Sequence, residues 1–297
     1  MAVTFMEQES AWPGGAWGQA LHTEASPLGD EHETEVLAFL AKRPVHTVFL
    51  ATLIRDNGLV SPLNRGTFYG CRDAAGRLTG VALIGHATLF ESHDDAAIAA
   101  FAQLTQACPH AHLIRGEQAL VERFRRAYER VGGRRPRRVA REVLLELRPP
   151  VVVHPPVAGL RLAASADLNE LLPVNAGMIE DECGINPLTR DPVGFRVRLL
   201  RRIEQGRIWV WARAGRVVFK TDVLANTAAA AYLEGVWVHP AERGRGHGLR
   251  CLSQLSRLLL AQTEVISLVV NETAAGARTF YQKAGYRAVT RYDTIYL

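Results

Sequence analysis

The sequence predicts an α/β fold, an α+β mixed sheet built as two copies of one plan, and three observations carry that expectation. Short strand-like runs of alternating or continuous apolar residues are interleaved with helical stretches along the whole chain. Their order repeats on either side of a proline-rich break, PPVVVHPPVAG at 149–159, which lacks hydrophobic period and reads as a linker. In the second copy, one strand turns into a helix through a corner crowded with glycine and arginine, GVWVHPAERGRGHGLRCL at 235–252.

Residues 1–30 carry Gly, Pro, Ser and acidic residues without period and read as a mobile leader. A helix is predicted over 31–40. Strands follow at TFYGCRD and RLTGVALIGHATLF, joined by a turn at Ala74-Ala75-Gly76. A helical stretch from Asp94 to Ala107, a strand AHLIR, a helix from Glu117 to Val131 closed by Gly132-Gly133, and a strand REVLLEL complete the first half.

The second half opens with helical segments at 166–179 and 192–205. Strands RIWVWAR and VVFKTDVLA then meet across Ala214-Gly215-Arg216, followed by the strand AAYLEGVWV. The helix at 246–262 places Leu249, Leu252, Leu255 and Leu259 on one face. The strand VISLVV, a short helix GARTFYQKA ending at Gly285, and the strands YRAVTRY and TIYL finish the chain.

The 297 residues suffice for two cores. No apolar run approaches the roughly 18 residues of a membrane span, and the start does not resemble a signal peptide, so a cytosolic (cytoplasmic) protein without membrane partners is expected. The four cysteines, Cys71, Cys108, Cys183 and Cys251, form no CxxC pair, which argues for reduced, mostly buried thiols rather than a disulfide framework or zinc site. The net charge of +5 comes from arginine. Its densest run, GGRRPRRVAR at 132–141, has no interleaved aromatic residues for base stacking and reads as a solvated turn, so no nucleic-acid partner is expected.

The corner carries the chemistry. A strand ending at Val238-His239-Pro240 and turning through Arg243 to Gly248 into a helix points unpaired backbone N–H groups at one locus, which attracts anions. Glycine permits positive φ and removes Cβ atoms that would hold a ligand oxygen away, while Arg243 and Arg245 add positive charge. A pyrophosphate fits. The spacing is not GxGxxG and no Gly-Lys-Ser/Thr follows, so neither a dinucleotide fold nor a triphosphate loop is indicated.

Arg243, Gly246 and Gly248, read as R-x-x-G-x-G directly after a strand ending V-x-P, resemble the acyl-CoA loop of the GNAT superfamily of N-acyltransferases. Asn271, Ala277-Arg278, Phe280-Tyr281 and Gly285-Tyr286 are similar to that family's N…AR-x-x-Y-x-x-x-G-F stretch. The whole chain resembles two-domain bacterial GNAT proteins whose amino-terminal domain has no assigned function. With the leader at 1–30 and the linker at 149–159, the resemblance implies tandem GNAT-like domains: a degenerate copy at 31–148 and an acetyltransferase domain at 160–297 that carries the acyl-CoA site. It implies acetyl-CoA (coenzyme A) bound by Val236, Trp237, Val238, Arg243, Gly244, Arg245, Gly246, His247, Gly248 and Asn271. One position departs from the family, Ala274, where a second asparagine is common.

The same resemblance implies a strand at 236–238 splayed from its neighbour at a bulge, so that its backbone pairs with pantetheine, and a role for Tyr281 as the acid that protonates departing CoA. Glu234 is the candidate base; on a regular ladder it would share a face with Val236 and Val238. Each has a structural competitor: Tyr281 as a core tyrosine, Glu234 as a cross-strand ion-pair partner. His247 is expected to point to solvent. Glu180, Asp181 and Glu182 could line an acceptor site or form a solvated face. In the first half the matching corner is ESHDDAAIAAF, acidic and without glycine, so no CoA is expected there. That half should pack on the other, shape the acceptor cleft, or mediate a homodimer. The expected activity is transfer of an acetyl group to a small-molecule or peptide amine. The alternatives are an acyl-CoA-binding regulatory protein without turnover, and an aminoacyl-tRNA-dependent transferase of similar tandem plan.

Overall fold

The computed structural model describes residues 24–297. The first half contains β1 (Ala25–Pro27), α1 (Glu33–Leu40), α2 (Pro44–Asn57), β2 (Gly66–Arg72), β3 (Leu78–Gly85), β4 (Ala87–Ser92), α3 (Asp95–Ala107), β5 (Leu113–Glu117), α4 (Gln118–Arg130) and β6 (Arg138–Leu147). The second contains β7 (Arg161–Leu162), α5 (Leu168–Cys183), α6 (Pro187–Arg190), α7 (Pro192–Glu204), β8 (Ile208–Arg213), β9 (Arg216–Asn226), β10 (Ala231–Val238), α8 (His247–Leu260), β11 (Ile266–Asn271), α9 (Ala275–Lys283) and β12 (Arg287–Tyr296). In each half five strands follow in spatial sequence, β1 to β5 and β7 to β11. Each run has one parallel pair, β4 with β5 and β10 with β11. The duplicated plan is therefore present.

The strands form one twelve-stranded sheet in the order β1-β2-β3-β4-β5-β12-β6-β11-β10-β9-β8-β7. The last strand of each half has crossed over: β6 lies against β11, and β12 lies against β5, with β6 and β12 paired antiparallel between them. The break at 149–159 thus separates two copies in the chain but not two sheets. Nor is it a loose connection. Val152 O accepts from Ser253 Oγ at 2.7 Å, Val157 N donates to Gln254 Oε1 at 2.9 Å, and the Arg250 guanidinium donates to the carbonyls of Pro155 and Pro156. Without a ladder to satisfy them, these backbone groups find partners on the polar side of α8.

Apolar layers cover both faces of the sheet. On one, α3 and α4 pack over the first half through Phe101 and Phe124, and α8 over the second through Leu252 and Leu255. On the other, α1 and α2 enclose Phe68 and Ile54, while α5 and α7 enclose Leu171 and Leu199. Helix α2 also reaches across the copies, where Val45 and Val48 meet Ala225, Val265 and Tyr292. Cys71 and Cys251 are buried thiols whose pKa values burial pushes up to about 12, so they stay protonated.

Several expectations need correction. Residues 24–30, read as part of a leader, belong to the fold: β1 pairs with β2, Leu28 is 5% exposed, and the Asp30 carboxylate accepts from the N–H groups of Leu59 and Val60. Three paired residues are too few to show a period-2 signal. The rest of the leader reading lies outside the described residues. Helix α2 was not expected; Pro44 at its first turn and Gly58 with φ +77° at its end were the available signals. The final two predicted strands are one, β12, bent at a register shift between Ala288 and Thr290.

Candidate functional site

The site begins with an irregularity in β10. Against β9, Glu234 pairs with Asp222 and Trp237 with Lys220, so Gly235 and Val236 together oppose the single residue Thr221. Gly235 takes φ +60°, and Thr221 Oγ1 donates to Glu234 O at 3.2 Å. The extra residue reverses the alternation of side chains. Before it, Tyr232 and Glu234 face the α2 and α5 side; after it, Val236 and Val238 pack with Cys251 on the α8 side. The expectation that Glu234 shares a face with Val236 and Val238 fails for this reason, and Glu234 joins Tyr232 instead.

Ahead of the bulge, β10 and β11 part. Their parallel pairing covers Ala231 with Ile266 and Tyr232 with Ser267, and then stops. From Leu233 onward the β11-facing edge of β10 has no ladder partner, which leaves N–H and C=O groups for an extended ligand. Val236, Trp237 and Val238 sit on that edge.

At the top of the opening, β10 turns through Pro240 and Arg243 into α8. Gly244 and Gly246 adopt φ +75° and +76°, and a Cβ on either would meet nothing within 4 Å. These two glycines are required by backbone conformation, on an exposed loop. Gly248 has another reason: a Cβ there would lie 2.9 Å from Val238 and 3.1 Å from Phe280, so it sets how closely α8 approaches β10 and α9. No side chain caps α8 at Gly246, and its first-turn N–H groups are directed at the loop. The Arg243 Nε donates to Val238 O at 3.1 Å, and Arg245 pairs with Glu242 at 3.2 Å. His247 does not point to solvent. Its ring packs on Trp211 with centroids 5.0 Å apart, Nε2 lies 3.5 Å from Glu242, and the side chain is 13% exposed, because a first-turn residue of α8 leans back over β8.

The corresponding corner of the first half is built differently. Its β3–β4 ladder runs without a register shift, the Asp94 carboxylate caps α3 by accepting from Ala96 N at 3.0 Å, and Asp95 pairs with Arg123 at 2.7 Å. The helix end is occupied by the protein's own carboxylate, consistent with the acidic composition of that corner.

Tyr281 projects from α9 into the opening, stacked edge-on against Tyr286 with centroids 5.6 Å apart. Burial raises its pKa above the ordinary tyrosine value and keeps the phenol protonated. Asn271, at the end of β11, spends its Oδ1 on the Thr273 N–H and hydroxyl at 2.9 and 2.7 Å; its amide Nδ2 is the atom left for a ligand. Ala274 is the N-cap of α9 and offers it no side-chain cap.

Glu234 lies in the cleft on the far side of the opening from α8. Crowding by protein atoms raises its pKa, opposed by the Arg115 guanidinium, whose Nη1 lies 3.9 Å from Oε1; the side chain is nonetheless 45% exposed to the cleft. Arg115 comes from β5 of the first half. It donates to Tyr232 Oη at 3.2 Å and pairs with Glu142 at 3.4 Å, and these acidic neighbours hold it protonated. Beside Glu234, the ammonium of Lys220 is 1% exposed, donates to Asn175 Oδ1 at 2.8 Å, and lies 2.8 Å from Asp222, which also binds Arg202 at 2.8 Å. Of the acidic triplet, Glu182 reaches the cleft, whereas Glu180 bonds Asn186 on the surface. Arg115, Lys220 and Asn175 were not found from the sequence. They lie on three elements with no shared motif.

Residues 204–288 match the family model described as an acetyltransferase (GNAT) domain. The match lies within the second half of the chain. Solved structures extend the likeness over both halves. A GNAT-family acetyltransferase from Colwellia psychrerythraea is 10% identical, with a TM-score of 0.58 over 92% of this chain and 99% of that one. A Drosophila protein is 14% identical with a TM-score of 0.64, over 92% of this chain and 98% of that one. A tandem GNAT protein from the clavulanic acid biosynthesis pathway is 13% identical, with a TM-score of 0.56 over 92% and 98% of the two chains. At these identities the likeness concerns the fold, which is the tandem GNAT fold. No curated protein sequence matches the chain significantly. Among the described residues, no helix is long and apolar enough to cross a membrane.

Proposed function

We propose that the second half is an acetyl-CoA-dependent N-acetyltransferase acting on a primary amine. The observation that carries this reading is the bulge at Gly235-Val236 with the parting of β10 from β11, which leaves a free strand edge leading from an uncapped helix N-terminus. That geometry fits coenzyme A: the N–H groups of the 243–248 loop for the pyrophosphate, the β10 edge for pantetheine, and Asn271 Nδ2 as a further donor. Acetyl-CoA supplies an activated acyl carbon and a thiolate leaving group.

The protein's own groups do the rest. The β10 edge and the 243–248 loop would hold the thioester in the slot between β10 and β11, and orientation of this kind is a large part of the rate. Glu234, on the acceptor side with its pKa raised by burial, takes the proton from the amine nitrogen, directly or through one water. Tyr281, kept protonated on the opposite wall, gives its proton to the departing sulfur. The C–N bond forms as the C–S bond breaks, and no covalent enzyme species is required.

Calorimetry with acetyl-CoA tests the assignment. One site per chain is expected, and Arg243→Glu combined with Gly246→Asp should abolish it by setting carboxylates against the pyrophosphate. Two equivalent sites, or unchanged affinity in the double variant, overturns the reading. Tight binding with no thiol released for any amine would instead favour a regulatory acyl-CoA-binding protein.

A further inference from the structure

The cleft at Glu234 does not end in the GNAT domain. Its cavity of about 300 Å³ shares Arg115, Tyr232, Glu234 and Val269 as walls with a second cavity of about 340 Å³ that extends into the first half. This second space lies on the same sheet face, beneath α2, in the position where the first copy would have held its own acceptor. Val45, Val48 and Phe49 of α2 form one side of it, and Leu89, Leu113 and Leu144 of the sheet form the other.

The charges around this space are unevenly satisfied. At the far end Arg43 reaches both Glu91 and Glu117, at 3.0 and 2.5 Å, and His46 Nδ1 lies 2.7 Å from Tyr292 Oη. These groups are committed to one another. At the junction with the cleft, Arg115 is divided between Glu142 and Tyr232, and Glu234 has it only at 3.9 Å. A ligand spanning both spaces therefore meets an incompletely neutralised carboxylate at the junction and apolar walls between there and the Arg43 cluster.

We infer that the acceptor is a primary amine with an apolar body, its nitrogen at Glu234 and its hydrocarbon lodged between α2 and β4–β5 of the first half. The degenerate copy serves as the specificity pocket of the working one. This rests on the acetyltransferase reading above, since it names the substrate class of that site. The pocket's dimensions suit a medium-sized alkyl or arylalkyl group, within the range of small-ligand cavities.

The test uses n-alkylamines from ethylamine to octylamine with the full chain, read by thiol release from acetyl-CoA and separately by calorimetry of each amine in the presence of CoA. Both kcat/KM and amine affinity should rise about fourfold with each added methylene until the pocket is filled. Leu89→Trp, which fills the pocket, should make hexylamine no better than ethylamine while leaving acetyl-CoA affinity unchanged. Phe49→Ala, which enlarges it, should move the preferred chain longer. Because the two variants act in opposite directions, a folding defect in one leaves the other to decide. Turnover that is flat in chain length overturns this inference and leaves the acetyltransferase reading intact. Amine affinity that climbs with chain length while no amine releases thiol supports the pocket and overturns the acetyltransferase reading. Flat affinity without thiol release overturns both.

Discussion

Replacing Gly235 by alanine tests whether the bulge is held by the buried charge network beneath it. The residue sits at φ +60°, where an L side chain costs about 1–2 kcal/mol. Its Cβ would also lie 2.8 Å from Lys220 Nζ. That ammonium cannot swing aside freely, because it is 1% exposed and held at 2.8 Å by both Asn175 and Asp222. Giving up the charged hydrogen bond to Asn175 costs about 1.5–3 kcal/mol more. The sum, about 2.5–5 kcal/mol, corresponds to a fall in Tm of roughly 5–15 °C. Gly244→Ala is the control: it carries similar backbone strain at φ +75° but meets nothing within 4 Å, so it should show only the smaller share. Differential scanning calorimetry of the two variants reads the difference. Because Gly235 also supplies the free edge of β10, acetyl-CoA affinity should drop along with its stability. Equal melting temperatures for the two variants would refute the idea that Lys220 is fixed against the bulge.

Two further outcomes concern the reaction itself. Tyr281→Phe keeps the ring that packs on Tyr286 and removes the proton donor, so acetyl-CoA affinity should stay constant while kcat and kcat/KM fall together by about 100-fold; full kcat with chemistry shown to be rate-limiting would exclude the acid role. Arg115→Gln removes the cation that opposes the burial-induced rise in the Glu234 pKa. The carboxylate then needs a higher pH to deprotonate, so the acidic limb of the kcat/KM profile should move upward and the loss of activity should be greater near about pH 6 than near about pH 8. An acidic limb that stays in place would show that Glu234 is not the titrating base.

What the sequence determined by itself is what contiguous residues can encode. The strand–loop–helix corner was legible because positive φ at Gly244 and Gly246 and the close approach at Gly248 admit few other residues. The leucine stripe of α8 was legible from its period, and the acidic start of α3, where Asp94 caps the helix, marked the copy without the loop. The duplication was legible in element order. The tertiary structure alone decided three things. The crossing of β6 and β12 between the copies depends on which strand edges compete for a partner, and neither strand's own pattern records it. The face on which Glu234 lies depends on a one-residue insertion in a ladder whose register is set by β9. Arg115 meets Tyr232, 117 residues further along the chain, because the sheet order places the two parallel strand pairs on either side of the exchanged strands. A side chain's neighbours across a sheet follow from pairing and register, which belong to the assembled fold rather than to any short segment of it.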